Sequence, residues 1–243
     1  MTISDVLLSA IERRKRADGH VTVRRYATYR NAFRAAEIDF PATALKDEKV
    51  ASWVRDHRVP VDVRAGEDID VALTAGVPPG QMSVHADILG DAELRAVVSG
   101  GARRVVVSSA GQAELVASCV RSRRQSVAVW LRDPDTADRK IAPIVEILKF
   151  NLVGVYGDIA LWGGLQTEVI RNLVGVMAMI GRRHSVVLCR LGLYGRSVVP
   201  SGDWAVELPG FAAAVEDSID EACEALRFPR PLVALSPGSA LLS

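Results

Sequence analysis

His85 is followed two residues later by Asp87, in the run Met82-Ser-Val-His-Ala-Asp87. An imidazole beside a carboxylate, at the end of an apolar run, has the makings of a general base or of a ring that stacks on a cofactor. The plainer alternative is a histidine hydrogen-bonded at the rim of the fold. Asp158 adds a second carboxylate. His85, Asp87 and Asp158 are metal-ligand types, but nothing in their spacing fixes a metal site, and none is expected. Arg132 and Arg190 are the residue type that grips phosphate or carboxylate through a planar fork of donors. Gly192, Gly195 and Gly238 follow apolar runs and would let a backbone approach an anion closely. Arginines solvating a rim and glycines serving turns are the competing reading. The basic segment Arg13-Arg-Lys-Arg16, with Arg24, Arg25 and Arg30, reads as a solvated helical face.

These residues sit on a regular alternation. Short β-branched or apolar runs are expected as strands at Ile38–Ala42, Pro60–Val63, Met82–His85, Arg104–Val107, Val127–Leu131, Leu152–Tyr156, Val186–Leu191 and Leu232–Leu235. Between them, helical spacing is expected over 46–57, 67–75, 91–98, 110–122, 140–149, 164–180 and 209–226. Two leading helices are expected within about 4–36, over 4–16 and 24–36. Strand–helix alternation means parallel strands with right-handed crossovers. Eight such units in 243 residues fit a (β/α)8 TIM barrel as one domain over 1–243. The strands read as near-continuous apolar runs, as strands buried on both faces should. In such a barrel the site lies at the C-terminal ends of the strands. That rule gathers Thr43, Arg64, His85, Asp87, Ser108, Arg132, Asp158, Arg190 and Ser236 at one mouth.

Composition narrows the class. Apolar residues make up 49% and charged residues 24%, with a net charge of +1, which is ordinary for a soluble globular chain. A balance that flat argues against nucleic acid or a membrane as partner. The start lacks a basic region before its apolar stretch, so no signal peptide is expected and a cytoplasmic location is. Cys119, Cys189 and Cys223 are an odd, widely spaced set and read as buried thiols. Lysine is scarce: Lys15, Lys46, Lys49, Lys140 and Lys149 are all there are, against 25 arginines.

The stretch Val61-Asp-Val-Arg-Ala-Gly-Glu-Asp-Ile-Asp-Val-Ala-Leu-Thr-Ala-Gly-Val-Pro-Pro79 resembles the diaminopimelate/ornithine/arginine decarboxylase family. So do Met82-Ser-Val-His-Ala-Asp87, Asp91-Ala-Glu-Leu-Arg95, Val105-Val-Val-Ser-Ser109 and the end from Phe211 to Leu242. The resemblance runs from about residue 22 to 243. It implies the alanine-racemase-like barrel of a pyridoxal-phosphate enzyme, usually a dimer, with a second β-rich domain beyond the point where this chain stops.

Position by position, the resemblance departs from the family. The Schiff-base lysine that ends the first strand falls on Thr43, which cannot form an imine. His-Gly-Asn-x-Lys after the third strand keeps only His85. The histidines after the sixth strand become Tyr156 and Asp158. The phosphate-binding Gly-Gly-Gly reads Arg190-Leu-Gly-Leu-Tyr-Gly195, and Glu-Pro-Gly-Arg reads Ser236-Pro-Gly-Ser239. The ancestral pocket would then comprise His85, Arg132, Asp158, Arg190, Gly192, Gly195 and Gly238. The expectation is a barrel without decarboxylase activity that binds a partner or a small anion, pairing with itself or with an active relative. The alternative is a pyridoxal-phosphate decarboxylase or racemase whose lysine has moved to Lys46, with His85 in a catalytic role.

Overall fold

A computed structural model describes residues 19–121, 123–133, 136–158, 166–194 and 204–242. Helix α1 covers residues 19–32. It is followed by β1 (Glu37–Ile38), β2 (Phe40–Pro41), a 3-10 turn (Ala42–Lys46), α2 (Glu48–Asp56), β3 (Val61–Val63) and α3 (Gly66–Thr74). Next come β4 (Met82–His85), α4 (Asp91–Ser99), β5 (Arg104–Val107), α5 (Ala110–Cys119) and β6 (Gln125–Leu131). The chain continues through α6 (Ala137–Val145), β7 (Phe150–Asp158), α7 (Gln166–His184), β8 (Arg190–Tyr194), α8 (Trp204–Leu226) and β9 (Leu232–Ser236).

All the pairings are parallel, in the order β1-β9-β8-β7-β6-β5-β4-β3-β2. β1 and β2 are one extended segment interrupted at Asp39. Asp39 N–H donates to Leu235 O at 2.9 Å on one side, and Phe40 N–H to Pro60 O at 2.7 Å on the other. The two edges of the sheet therefore meet in residues 37–41, and the expected (β/α)8 barrel results.

Two apolar clusters divide the interior. The larger one lies between strands and helices, where Val61, Val63, Val105, Val107, Leu191 and Leu193 point outward. Helix α1 joins it: Tyr26 packs on Phe40 and Trp53 with ring centres 5.5 and 5.4 Å away, and Phe33 on Phe211 of α8 at 6.1 Å. The smaller cluster comprises Val106, Ala128, Trp130, Val153, Tyr156 and Ala234 and lies inside the barrel.

Several element bounds differ from expectation. Helix α1 begins earlier than residue 24, and the expected helix over 4–16 lies outside the described residues. The largest difference is at the seventh strand, expected over Val186–Leu191 and found at Arg190–Tyr194. Helix α7 runs on to His184, and β8 is set by its neighbours: Leu191 pairs with Val155 and Val233, Leu193 with Gly157 and Leu235. Its burial alternates, with leucines facing the helices and Arg190, Gly192 and Tyr194 facing the lumen. Cys119 and Cys223 are buried thiols as expected, whereas Cys189 is exposed.

Candidate functional site

The alternation that sends Val and Leu outward sends charge inward. Glu37, Asp39, Asp62, His85, Arg104 and Arg190 all stand at lumen-facing positions. At the closed, N-terminal end of the barrel, Glu37 receives three arginines. Arg103 donates twice, at 2.6 and 2.5 Å; Arg104 donates at 2.9 Å and Arg190 at 3.2 Å. Burial alone would raise the Glu37 carboxyl. The Arg103 hydrogen bond and the charges of Arg104 and Arg103 overcome it and hold the group at about 2. Arg104 also donates to the Tyr156 hydroxyl, tying the cluster to the aromatic filling of the lumen.

Asp39 sits one step nearer the mouth. It is fully buried, with Arg103 3.8 Å and Arg104 3.9 Å away, and neither carboxyl oxygen has a hydrogen-bond partner. Burial pushes its carboxyl up to about 7; Arg104 pulls it down, and Glu37 and Asp62 add to the rise. A carboxyl that must give up water without gaining donors favours its neutral form.

At the mouth, Arg64 follows β3. Its guanidinium carbon lies 3.3 Å from the centre of the Tyr194 ring and 5.2 Å from that of Trp130, with Asp62 Oδ2 3.9 Å from Nη1. A cation over an aromatic face is attracted by the ring quadrupole, most strongly where water is partly excluded. The Arg64 N–H donates to Asp68 Oδ2 at 2.9 Å, which fixes the turn into α3. His85 lies below. Its Nε2 is 3.3 Å from Asp62 Oδ1, too poorly aligned for a hydrogen bond, and its ring meets Trp130 and Tyr156 edge-on at 5.5 and 6.3 Å. Ser83 Oγ, Ser236 Oγ and Arg64 Nη1 are also buried without a hydrogen-bond partner.

The residues expected at one mouth are thus partly separated. His85 is at its strand end but 2% exposed, and its carboxylate is Asp62 rather than Asp87. Asp87 instead faces Arg132 at 3.9 Å, with the arginine side chain 70% exposed. Arg190 opens β8 instead of closing it, so it serves Glu37 at the opposite end of the barrel and cannot meet an anion at the mouth. Gly192 lies within β8 and not in a loop. A Cβ there would fall 2.2 Å from the Tyr156 ring, so glycine is what lets that ring fill the lumen. Gly195 lies outside the described residues. Leu191 and Leu193 are core residues of a strand and do not belong to a phosphate-binding loop. Gly238 has a φ of +55°, a conformation open to glycine, in the 3-10 turn after β9. Asp158 ends β7, paired in register with Tyr194.

Thr43 is exposed in the turn Ala42–Lys46 that leaves β2. In a 3-10 turn, positions three apart eclipse one another, so Lys46 shares its face. Lys46 is also exposed.

Sequence reasoning placed Arg64 at the mouth but missed Glu37, Asp39, Asp62, Trp130 and Tyr194 as interior residues. The available signal was the period-two charge in Glu37-Ile-Asp39, Asp62-Val-Arg64 and Ser83-Val-His85, set in otherwise apolar strands.

Residues 20–177 match the family model described as pyridoxal-dependent decarboxylase, pyridoxal binding domain. The diaminopimelate decarboxylase of Actinosynnema pretiosum subsp. auranticum is 28% identical over 253 residues, covering 91% of this chain and 56% of that protein. The lysine decarboxylase structure from Selenomonas ruminantium superposes with a TM-score of 0.74 at 17% identity, covering 92% of this chain and 60% of that one. The lysine/ornithine decarboxylase of Vibrio vulnificus gives 0.72 at 19%, with 92% and 62% covered. The chain thus spans less than two thirds of the length of these relatives. With a matching model over most of its length and the same barrel, the chain belongs to the pyridoxal-dependent decarboxylase family through its pyridoxal-binding domain.

Proposed function

We propose that this barrel does not decarboxylate amino acids and works by binding, with a small anion at its mouth. The observation that carries the reading is Thr43 in the turn after the first strand, where the resemblance places the imine-forming lysine. Pyridoxal phosphate supplies an electron sink to a substrate held as an imine. The residues present do not fit it: Thr43 has no amine, and the Arg64 guanidinium, stacked on Tyr194 and beside Trp130, takes up the aromatic space at the mouth. Arg132, exposed at the mouth beside Asp87, is the donor an incoming carboxylate or phosphate would meet.

The test is release of carbon dioxide from diaminopimelate, lysine, ornithine and arginine with pyridoxal phosphate added. No turnover is expected, and turnover overturns the reading. For the anion, phosphate should raise the melting temperature of the wild type and not of Arg132→Gln. An unmoved wild-type melting temperature removes that half of the proposal.

One observation favours a second reading, a decarboxylase or racemase with a relocated lysine: Lys46 shares the exposed face of the turn with Thr43. Turnover lost in Lys46→Ala would establish it. Pairing with a second copy or with an active relative is a further expectation for a chain of this family, and light scattering of the purified protein tests the first.

A further inference from the structure

At the end of the barrel opposite the mouth, a cleft of about 320 Å³ opens between the turn from α4 into β5 and the turn from α5 into β6. Its rim carries Arg103, Arg121, Arg123 and Arg124. Arg103 is spent on Glu37. Arg121, Arg123 and Arg124 are exposed and, among the described residues, make no ion pair within 4.0 Å. No aspartate or glutamate lines the cleft among the described residues; its other polar side chains belong to Ser99, Gln125 and Ser126. Lys149 adds positive charge nearby, its Nζ donating to Ala117 O at 3.0 Å.

Three guanidinium groups on a four-residue span repel one another, and a concave site with no carboxylate leaves that repulsion uncompensated. An anion with several oxygens relieves it, because each guanidinium offers a planar fork that matches phosphate. The volume is that of a small-molecule site rather than of a single ion. The floor is built from the ends of two helices and the starts of two strands, and Gln125 braces it: its Nε2 donates to Ala102 O at 2.9 Å across the two turns. The cleft is therefore held open by the fold.

The geometry points to a second ligand site at this end, for a small polyanion carrying two or more phosphate groups. The chemistry is that of a linear polyphosphate or of the phosphate chain of a nucleotide. This site is independent of what the mouth does.

The experiment is calorimetric titration of the full chain with inorganic tripolyphosphate, at low and at raised salt. Saturable binding at one site per chain is expected, weakening as salt rises. The variant Arg121→Gln, Arg123→Gln, Arg124→Gln should bind at least tenfold more weakly while melting at the wild-type temperature. Arg132→Gln, at the mouth, should bind as the wild type does. A parallel titration with adenosine triphosphate separates the two sources, since equal affinity means the phosphates alone are read. The proposal is overturned by no saturable binding, by unchanged affinity in the triple variant, or by loss of binding in Arg132→Gln. Binding of single-stranded RNA that outcompetes tripolyphosphate without a one-to-one endpoint also overturns it, because the surface would then be an extended polyelectrolyte face. Arg121→Glu with Arg123→Glu gives a second variant, expected to abolish binding outright.

Discussion

The Arg64 guanidinium carbon lies 3.3 Å from the centre of the Tyr194 ring. The two residues come from β8 and from the end of β3, which face one another across the mouth with β9 and the 37–41 segment between them. Trp130 supports the same stack, its ring centre 6.0 Å from that of Tyr194. The barrel thus brings its own cation to the aromatic surfaces at its mouth. If this stack and Thr43 together keep pyridoxal phosphate out, restoring one without the other should fail. Thr43→Lys alone should give little reducible adduct with pyridoxal phosphate, and Thr43→Lys with Arg64→Ala should give more. Intact mass after borohydride reduction reads the difference.

The arginine cluster around Glu37 makes a stability prediction. Arg104 is almost wholly buried, bonded to Glu37 and to Tyr156. Arg104→Met removes a buried cation from beside Glu37 and Asp39, leaving Glu37 to Arg103 and Arg190. Breaking a buried pair from one side costs about 3–5 kcal/mol. Urea unfolding should show a loss of that order, and a loss under about 1 kcal/mol would mean the pair is solvated like an exposed one.

Asp39 sets a pH dependence of opposite sign to that of Glu37. Burial raises the Asp39 carboxyl from 3.8 in the unfolded chain to about 7 in the fold. The folded state thus holds the proton more tightly, so this contribution is full below about pH 4 and is lost as pH rises through 7. Glu37, lowered from 4.5 to about 2, contributes stability above pH 4.5 that is lost as pH falls toward 2. Asp39→Asn keeps the neutral form at every pH. Relative to the wild type, it should gain stability between pH 5 and pH 8, read from urea midpoints. Parallel curves for the two proteins would show that Asp39 does not titrate in that window.

Gly192→Ala should be poorly tolerated. The added Cβ would fall 2.2 Å from the ring carbons of Tyr156, which is itself buried and bonded to Arg104. Overpacking of this kind costs about 1–3 kcal/mol, sometimes more. A melting temperature within a degree or two of the wild type would mean the Tyr156 ring has another place to go.

The strands Met82–His85 and Arg104–Val107 stand in the structure as their residues suggest, because unbroken runs between turn-forming residues leave little freedom of register. β8 does not. Arg190 and Gly192 are poor strand formers in isolation, and they belong to the strand only because the lumen accommodates an ion pair and the Tyr156 ring. The preceding run Val186-Val-Leu188 looks more strand-like locally, yet it lies outside the sheet. The site followed the same rule. The lumen-facing charges were visible as a period-two pattern, but their partners were not. Arg104 meets Glu37 from 67 positions away, a pairing that only barrel closure creates. Thr43, singled out through the resemblance alone, stands in the 3-10 turn that follows Phe40–Pro41, where no local feature marked it.

The central claim concerns an amine that is missing where one would be needed. The most direct measurement is to incubate the purified chain with pyridoxal phosphate, reduce with borohydride and map modified lysines by peptide mass. Lys46, Lys49, Lys140, Lys149 and Lys15 are the possible sites. The account predicts no stoichiometric adduct at any of them. A stoichiometric adduct at Lys46, lost in Lys46→Ala, would contradict it and show a relocated site.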